Sequence, residues 1–473
     1  MNKMIEMREE DIRDIAIELP DEIKFFKYSG DFAGERTAIA AYLQKDIPDC
    51  LRRRLALEDV MAAGMQHDYR RSFDELLADL QKRYPLCQAA HLEEIIRMGN
   101  ADYIRKNGER FFQNSARSNI LNCNATFLSN IGKENPQPAH YLNERRHENL
   151  RIMRENGFRA VRVRVCEHLK PTRASKMPGD TVRAHLPFPC ACDVQSDIVI
   201  HNASHPFFLS DAAQRTAFAE VPYTEGLQFD LEFSYTLKVP YVQPRSEDVS
   251  ADQPTFHTGE RWPQIRFTPL ILETAKELKG RETNPLILAR RAYDFVTKHV
   301  VYSYMREYLC IENIAEFALM NGRGDCGVQA LLFINLCRAM GVPATWESGS
   351  HVECDSIGSH DWARFYVAPY GWLWCDPSFG GGALRNGDEE LWNHYATGFD
   401  TFREINSTEI NAAFNPPRRY LRTDPYDNQS GEAEFGHEPM WHSDFDTWRD
   451  VVSYEDITKQ EEKDDLSLLR FPN

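Results

Sequence analysis

The stretch NGRGDCGVQALLFINLCRAMGVPA, residues 321–344, decides how the chain folds. Two glycines and Asp325 lead into Cys326, and a strongly apolar helical run follows. Gly341 ends the run, and Val342-Pro343 blocks its continuation. Cys326 therefore sits at or near the N-terminus of a buried helix. Roughly half a positive charge resides there, which favours a thiolate, and the free backbone N–H groups can hold a developing oxyanion.

Two stretches downstream give this cysteine partners. In SHDWARFYVAP (359–369), Ala363, Phe365 and Val367 alternate with Arg364 and Tyr366, so a strand is expected to begin just after His360. In YGWLWCDPSFGGG (370–382), Tyr370-Gly371 makes a tight turn, Trp372 to Cys375 a second strand, and Asp376-Pro377 its end; Gly380-Gly381-Gly382 reads as a glycine-rich turn. Antiparallel pairing through the turn brings His360 and Asp376 together. A carboxylate there can accept from the second imidazole nitrogen and fix its tautomer.

The three stretches G-D-C-G-V-Q-A-L-L-F-I-N-L-C-R-A-M-G-V-P-A, H-D-W-A-R-F-Y-V and G-W-L-W-C-D-P-S together resemble the transglutaminase-like superfamily of papain-like thiol enzymes, in a bacterial-type form. The resemblance covers about residues 260–400 and implies an α+β fold whose central helix packs on an antiparallel sheet. It places the nucleophile on Cys326, the base on His360 and the carboxylate on Asp376. It implies two-step acyl transfer through a thioester, favouring a peptidase or other amide hydrolase; the alternatives are a protein-glutamine transamidase and a non-catalytic binding protein. The Cys326 backbone N–H is one expected oxyanion donor, with Asn321 and Tyr304 as candidates for the second.

Outward from this core the period changes. AVRVRVC (160–166), TVRAHLPFP (181–189) and above all QFDLEFSYTLKV (228–239) alternate apolar and polar residues, as strands with one buried face do. A β-sandwich-like domain is expected over 155–245, the polar stretch 241–255 is read as a linker, and the catalytic domain spans 256–425, with helices at PLILETAKEL (269–278) and PLILARRAYDFVTKHV (285–300). Residues 1–150 carry helical periodicity, as in FDELLADLQKRY (73–84) and AHLEEIIRM (90–98), punctuated by prolines such as the NPQP run at 135–138. Residues 426–473 read as an acidic tail, with His437, His442, Asp444 and Asp446 solvated and Trp441 and Trp448 inserted.

The formal charge of −17 argues against nucleic acid, which needs clustered Lys and Arg. No apolar run is long enough to cross a membrane, and the N-terminus lacks a secretory core. Eleven irregularly spaced cysteines suggest reduced thiols and a cytoplasmic chain. Among them Cys337 and Cys375 read as core residues. His351, Cys354 and His360 do not make a metal set, and neither a metal nor another cofactor is expected. The expected partner is a peptide, protein or other amide substrate.

Overall fold

The structure, a computed structural model, describes residues 9–460 apart from 107, 125–126, 129–130, 132–139, 423 and 425. The NPQP run lies outside the described residues. The N-terminal region holds α1 (Asp21–Ser29), α2 (Phe32–Tyr42), α3 (Asp49–Asp68), β1 (Tyr69–Arg71), α4 (Phe73–Gln81), α5 (Ala89–Arg97), β2 (Tyr103–Lys106), β3 (Glu109–Gln113), α6 (Ala116–Cys123) and α7 (His140–Asn156). Local rules explain its two expected helices. Ser72 and Glu75 cap α4 reciprocally, and α4 and α5 turn Leu76, Leu80, Leu92 and Ile95 into one small core. The antiparallel ribbon β1-β3-β2 adds Phe112 to that core.

The next strands are β4 (Phe158–Pro171), β5 (Thr181–Pro187), β6 (Gln195–Ala203), β7 (Phe208–Leu209), β8 (Thr216–Pro222) and β9 (Phe229–Pro240). Alternation holds in β9, where Phe229, Leu231, Phe233, Tyr235, Leu237 and Val239 are all fully buried. Then come α8 (Pro269–Lys279), α9 (Pro285–His299), β10 (Val301–Tyr302), α10 (Ile314–Asn321), β11 (Arg323–Gly324) and α11 (Cys326–Met340). Thr268 and Asn284 cap α8 and α9, each followed by a proline whose missing N–H costs nothing in the first turn. After them come β12 (Ala344–Glu353), β13 (Ser356–Val367), β14 (Gly371–Cys375), α12 (Pro377–Arg385), α13 (Glu389–His394), β15 (Arg403–Ser407), β16 (Glu432–Phe435) and β17 (Phe445–Asp456).

The fold is α+β. The sheet β14-β13-β12-β15 is antiparallel throughout. One face, carrying Ala344, Trp346, Ala363, Phe365 and Val367, packs on α11. The other, carrying Trp362, Trp374 and Ile405, joins the core of the β-domain. That domain is a sandwich of two four-stranded sheets, β17-β4-β9-β6 and β16-β5-β8-β7.

Three expectations are corrected. The stretch read as an acidic tail supplies a strand to each sandwich sheet: β16 pairs with β5 and β17 with β4, from Phe445 opposite Pro171 to Asp456 opposite Val161. Within it His437 contacts Asp180 at 2.8 Å, and Trp448 stacks on His168. The acidic residues of β17, Asp446, Asp450, Glu455 and Asp456, are exposed, so its composition read as a solvated tail. Secondly, the strand expected just after His360 begins at Ser356 and runs through it, paired over its length with β12. Thirdly, Gly380-Gly381-Gly382 lies inside α12. Asp376 caps that helix, and a side chain at Gly380 would meet the Tyr293 hydroxyl at 1.7 Å. All eleven cysteines are unpaired.

Candidate active site

Cys326 is the first residue of α11, and Asp325 is its cap, accepting from the Val328 N–H at 3.2 Å. Asp325 also accepts from the Tyr308 hydroxyl. The helix is buried along almost its whole length and ends at Gly341, whose φ of 92° suits glycine. The thiol donates to Asp361 Oδ2 at 3.4 Å, and the Asp361 backbone N–H points back at the sulfur. Gly327 makes room for this approach: a Cβ there would lie 2.7 Å from the same oxygen.

The hairpin expected from the sequence is present. Gly371, with φ of 82°, turns the chain so that Val367 faces Gly371 and Ala363 faces Cys375. His360 Nε2 then meets Asp376 Oδ2 at 2.7 Å. Asp376 is fully committed: Oδ1 accepts from the Phe379 N–H at 2.9 Å, and Oδ2 also pairs with Arg403 Nη2 at 2.9 Å. Arg403 is itself held by Asp400 at 3.0 Å. The Phe379 ring stacks on the imidazole at 4.2 Å. Since Nε2 carries the proton given to Asp376, Nδ1 is the basic nitrogen.

These groups do not form one hydrogen-bonded chain. Among the described residues no hydrogen bond joins Cys326 to His360. The reason is the two-residue period of β13: Asp361 shares a face with Ala363 and Phe365, toward α11, while His360 shares the opposite face with Trp362. The Asp361 N–H that points at the sulfur belongs to the peptide that joins His360 to Asp361. β14 ends at Cys375, opposite Ala363, so no strand flanks β13 on that side at 360–361.

Electrostatics differ sharply between the two parts. Burial pushes the Cys326 thiol well up, and Asp361 and Asp325 push it further. The helix terminus opposes this with about 0.3–2 kcal/mol, which cannot offset the several pKa units that full burial imposes. Burial also raises Asp361 well above the carboxylate range, with Asp427 and Asp325 adding to it. Around Asp376 the balance reverses: burial works against its charge, but His360 and Arg403 overcome it and hold the carboxyl at about 2. Burial lowers His360 despite Asp376, leaving a neutral imidazole available as a base.

Cys326 opens into a cleft of about 450 Å³. Its far wall comes from the N-terminal region: Asp68, Gln113, Asn114 and Ser115 face Tyr302, Tyr304 and Tyr308 across it. Asn119 on α6 fixes the intervening loop by pairing with both the N–H (2.7 Å) and the carbonyl (2.9 Å) of Tyr304. Of the two expected oxyanion donors, Tyr304 lines the cleft, whereas Asn321 donates to Phe317 and does not line it. A second cavity, of about 480 Å³, lies between α3 and β2; its cysteine, Cys310, is pushed well up by burial.

Residue-level reading missed Asp361, Asp427, Phe379 and Arg403. Asp361 could have been found, since alternation places it opposite His360. Arg403 could not, because nothing in residues 398–407 marks an arginine that reaches back to Asp376.

Residues 272–377 match the model of the transglutaminase-like superfamily. No curated protein matches the chain. Among solved structures, a candidate cysteine protease from Cytophaga hutchinsonii aligns over 63% of this chain and 89% of its own, at 11% identity and a TM-score of 0.38. The periplasmic domain of TgpA from Pseudomonas aeruginosa aligns over 50% and 92%, at 15% identity and a TM-score of 0.27.

Proposed function

With a transglutaminase-like domain in the chain as premise, we propose that this protein is a thiol-dependent amide hydrolase acting on peptides or proteins, with Cys326 as nucleophile, His360 as base and Asp376 as the group that orients it. The observation that carries this reading is the buried Arg403–Asp376–His360 alignment, which ends one peptide bond from a thiol at a helix N-terminus. So many groups holding one imidazole is what a general base requires.

In the reaction, Nδ1 of His360 takes the thiol proton as the sulfur leaves Asp361 for the imidazole. The thiolate attacks the substrate carbonyl, and the Cys326 N–H at the helix terminus stabilises the oxyanion. The imidazolium gives its proton to the leaving amine as the C–N bond breaks. Water, deprotonated by His360, then cleaves the thioester and restores the thiol. Tyr304 is the second candidate oxyanion donor.

The test is alkylation by an iodoacetamide-type probe, with sites located by mass spectrometry. Labelling at Cys326 that falls at least tenfold in His360→Ala, at neutral pH and in a folded chain, is the expected result. Equal labelling in both, or labelling spread over the other cysteines, overturns the assignment. Mass spectrometry of a casein digest with and without an added primary amine then distinguishes hydrolysis from transfer.

A further inference from the structure

Three tyrosines line the cleft with Cys326, and each is held differently. Tyr308 is committed, since its hydroxyl donates to Asp325. Tyr304 is 48% exposed, and Asn119 fixes its backbone rather than its hydroxyl. Tyr302 is half-buried, and among the described residues its hydroxyl makes no hydrogen bond. It is also the best anchored of the three. β10 pairs in parallel with β11 and sets Tyr302 opposite Gly324, two residues before the nucleophile. The Val301 N–H donates to the Gly322 carbonyl at 2.9 Å and the Ser303 N–H to the Gly324 carbonyl at 3.2 Å. Both chain neighbours of Tyr302 are thus tied to the segment that delivers Cys326. The Cys123 thiol of α6 donates to the Tyr302 carbonyl at 3.6 Å, and the Tyr302 and Tyr304 rings meet edge to face at 5.6 Å.

Burial pushes the Tyr302 phenol up, and Cys326 adds more to that rise than any other charged neighbour, ahead of Asp325, Tyr304 and Asp361. The hydroxyl therefore keeps its proton, and the sulfur is the charge that bears on it most. An oxyanion formed at Cys326 needs a donor beyond the Cys326 N–H, because Asp361 and Asp325 both oppose negative charge at the sulfur. Arg306, the arginine of the lining, is already paired with Asp102 at 3.0 Å. An O–H held on a short ribbon of strands meets the need, since it is in place before the charge develops.

We propose that the Tyr302 hydroxyl is the second oxyanion donor, acting together with the Cys326 N–H, and is a further catalytic residue of this chain. This role rests on the hydrolase reading above and gives Tyr302 the place for which Tyr304 was a candidate. As the thiolate bonds to the carbonyl carbon, the C=O π pair moves to oxygen. Tyr302 donates a hydrogen bond to that oxygen and keeps its proton. When the pair returns, the C–N bond breaks and the amine leaves with the proton from His360. The same donor serves the attack of water on the thioester.

Comparing acylation with alkylation separates this role from a structural one, because displacement of iodide by the thiolate forms no oxyanion. Tyr302→Phe removes a single oxygen that has no partner among the described residues, so the fold should hold, as a thermal melt checks. Acylation is measured as the rate at which the chain gains an acyl mass from a pool of tripeptide methyl esters, quenched in acid and read by intact-mass spectrometry. Tyr302→Phe is expected to acylate about 10²-fold more slowly than wild type, while its Cys326 is alkylated by iodoacetamide within twofold of the wild-type rate. Tyr304→Phe should acylate within threefold of wild type. Acylation of Tyr302→Phe within threefold of wild type, an equal fall in its alkylation, or a larger loss in Tyr304→Phe overturns the role of Tyr302 and leaves the hydrolase reading standing. A wild-type chain that gains no acyl mass overturns both.

Discussion

At the scale of single residues, the site joins a prepared base to a restrained nucleophile. Asp376 is the clearest test of the first. Asp376→Asn keeps the helix cap but not the charge, so turnover should fall on the order of 10²-fold or more in steady-state assays. The same carboxyl contributes to acid stability. Its folded pKa of about 2 lies below the ordinary 3.8, so its contribution is complete above about 3.8 and is lost as pH falls through 2. That is worth about 2 kcal/mol, and the Asn variant should lose less stability between pH 4 and 2 in thermal melts. Asp361 is the test of the second: Asp361→Asn removes an acid that raises the thiol, so the alkylation pH profile of Cys326 should shift to lower pH. These two aspartates also mark what could be read beforehand. The His360–Asp376 contact was legible because a tight turn fixes hairpin register, and register fixes facing pairs. The Cys326–Asp361 contact was equally implied by alternation, but a motif that begins with histidine draws attention away from the residue after it.

At the scale of elements, the site depends on helices and strands that approach closely where glycine allows. Gly380 lets α12 lie against Tyr293 on α9, and α12 is the helix that Asp376 caps. Gly380→Ala should therefore lower stability by about 1–3 kcal/mol, read as a fall in melting temperature, and reduce turnover by displacing Asp376. The helices around Cys326 and the strands of the β-domain were legible from periodicity and caps. β12 was not, because ATWESGSHVE places Ser348 and Ser350 on the face toward α11 and Glu347 on the opposite face beside Trp362, so no apolar alternation shows. The inclusion of three glycines in a helix was likewise hidden, since the need for Gly380 comes from a tyrosine more than eighty residues earlier.

At the scale of the whole molecule, the chain closes on itself: strands from its last described part complete a sandwich begun near residue 158, and the first helices wall the cleft. Ending the chain after Asp444 removes β17 from its long pairing with β4, and the expected result is loss of a cooperative thermal melt followed by circular dichroism. Glu404 lies where the catalytic sheet meets the sandwich, with neither carboxylate oxygen hydrogen-bonded within the described residues. Burial, only partly offset by Arg449, raises it to about 7 from 4.5. Its protonated form is favoured by folding, so stability is complete below pH 4.5 and declines as pH rises through 7. Glu404→Gln should remove a decline on the order of 3 kcal/mol across that window, measured by denaturant melts. Long-range pairings of this kind leave no local signature, and residues 445–456 look solvated because half of them are. That Cys326 forms an acyl-enzyme with help from His360 is best checked by intact-mass spectrometry of the chain quenched in acid during turnover of a peptide ester. The expected result is an acyl adduct on Cys326 that hydroxylamine removes, absent in Cys326→Ala and at least tenfold slower to form in His360→Ala. An adduct that forms equally fast without His360, or that persists without Cys326, would contradict it.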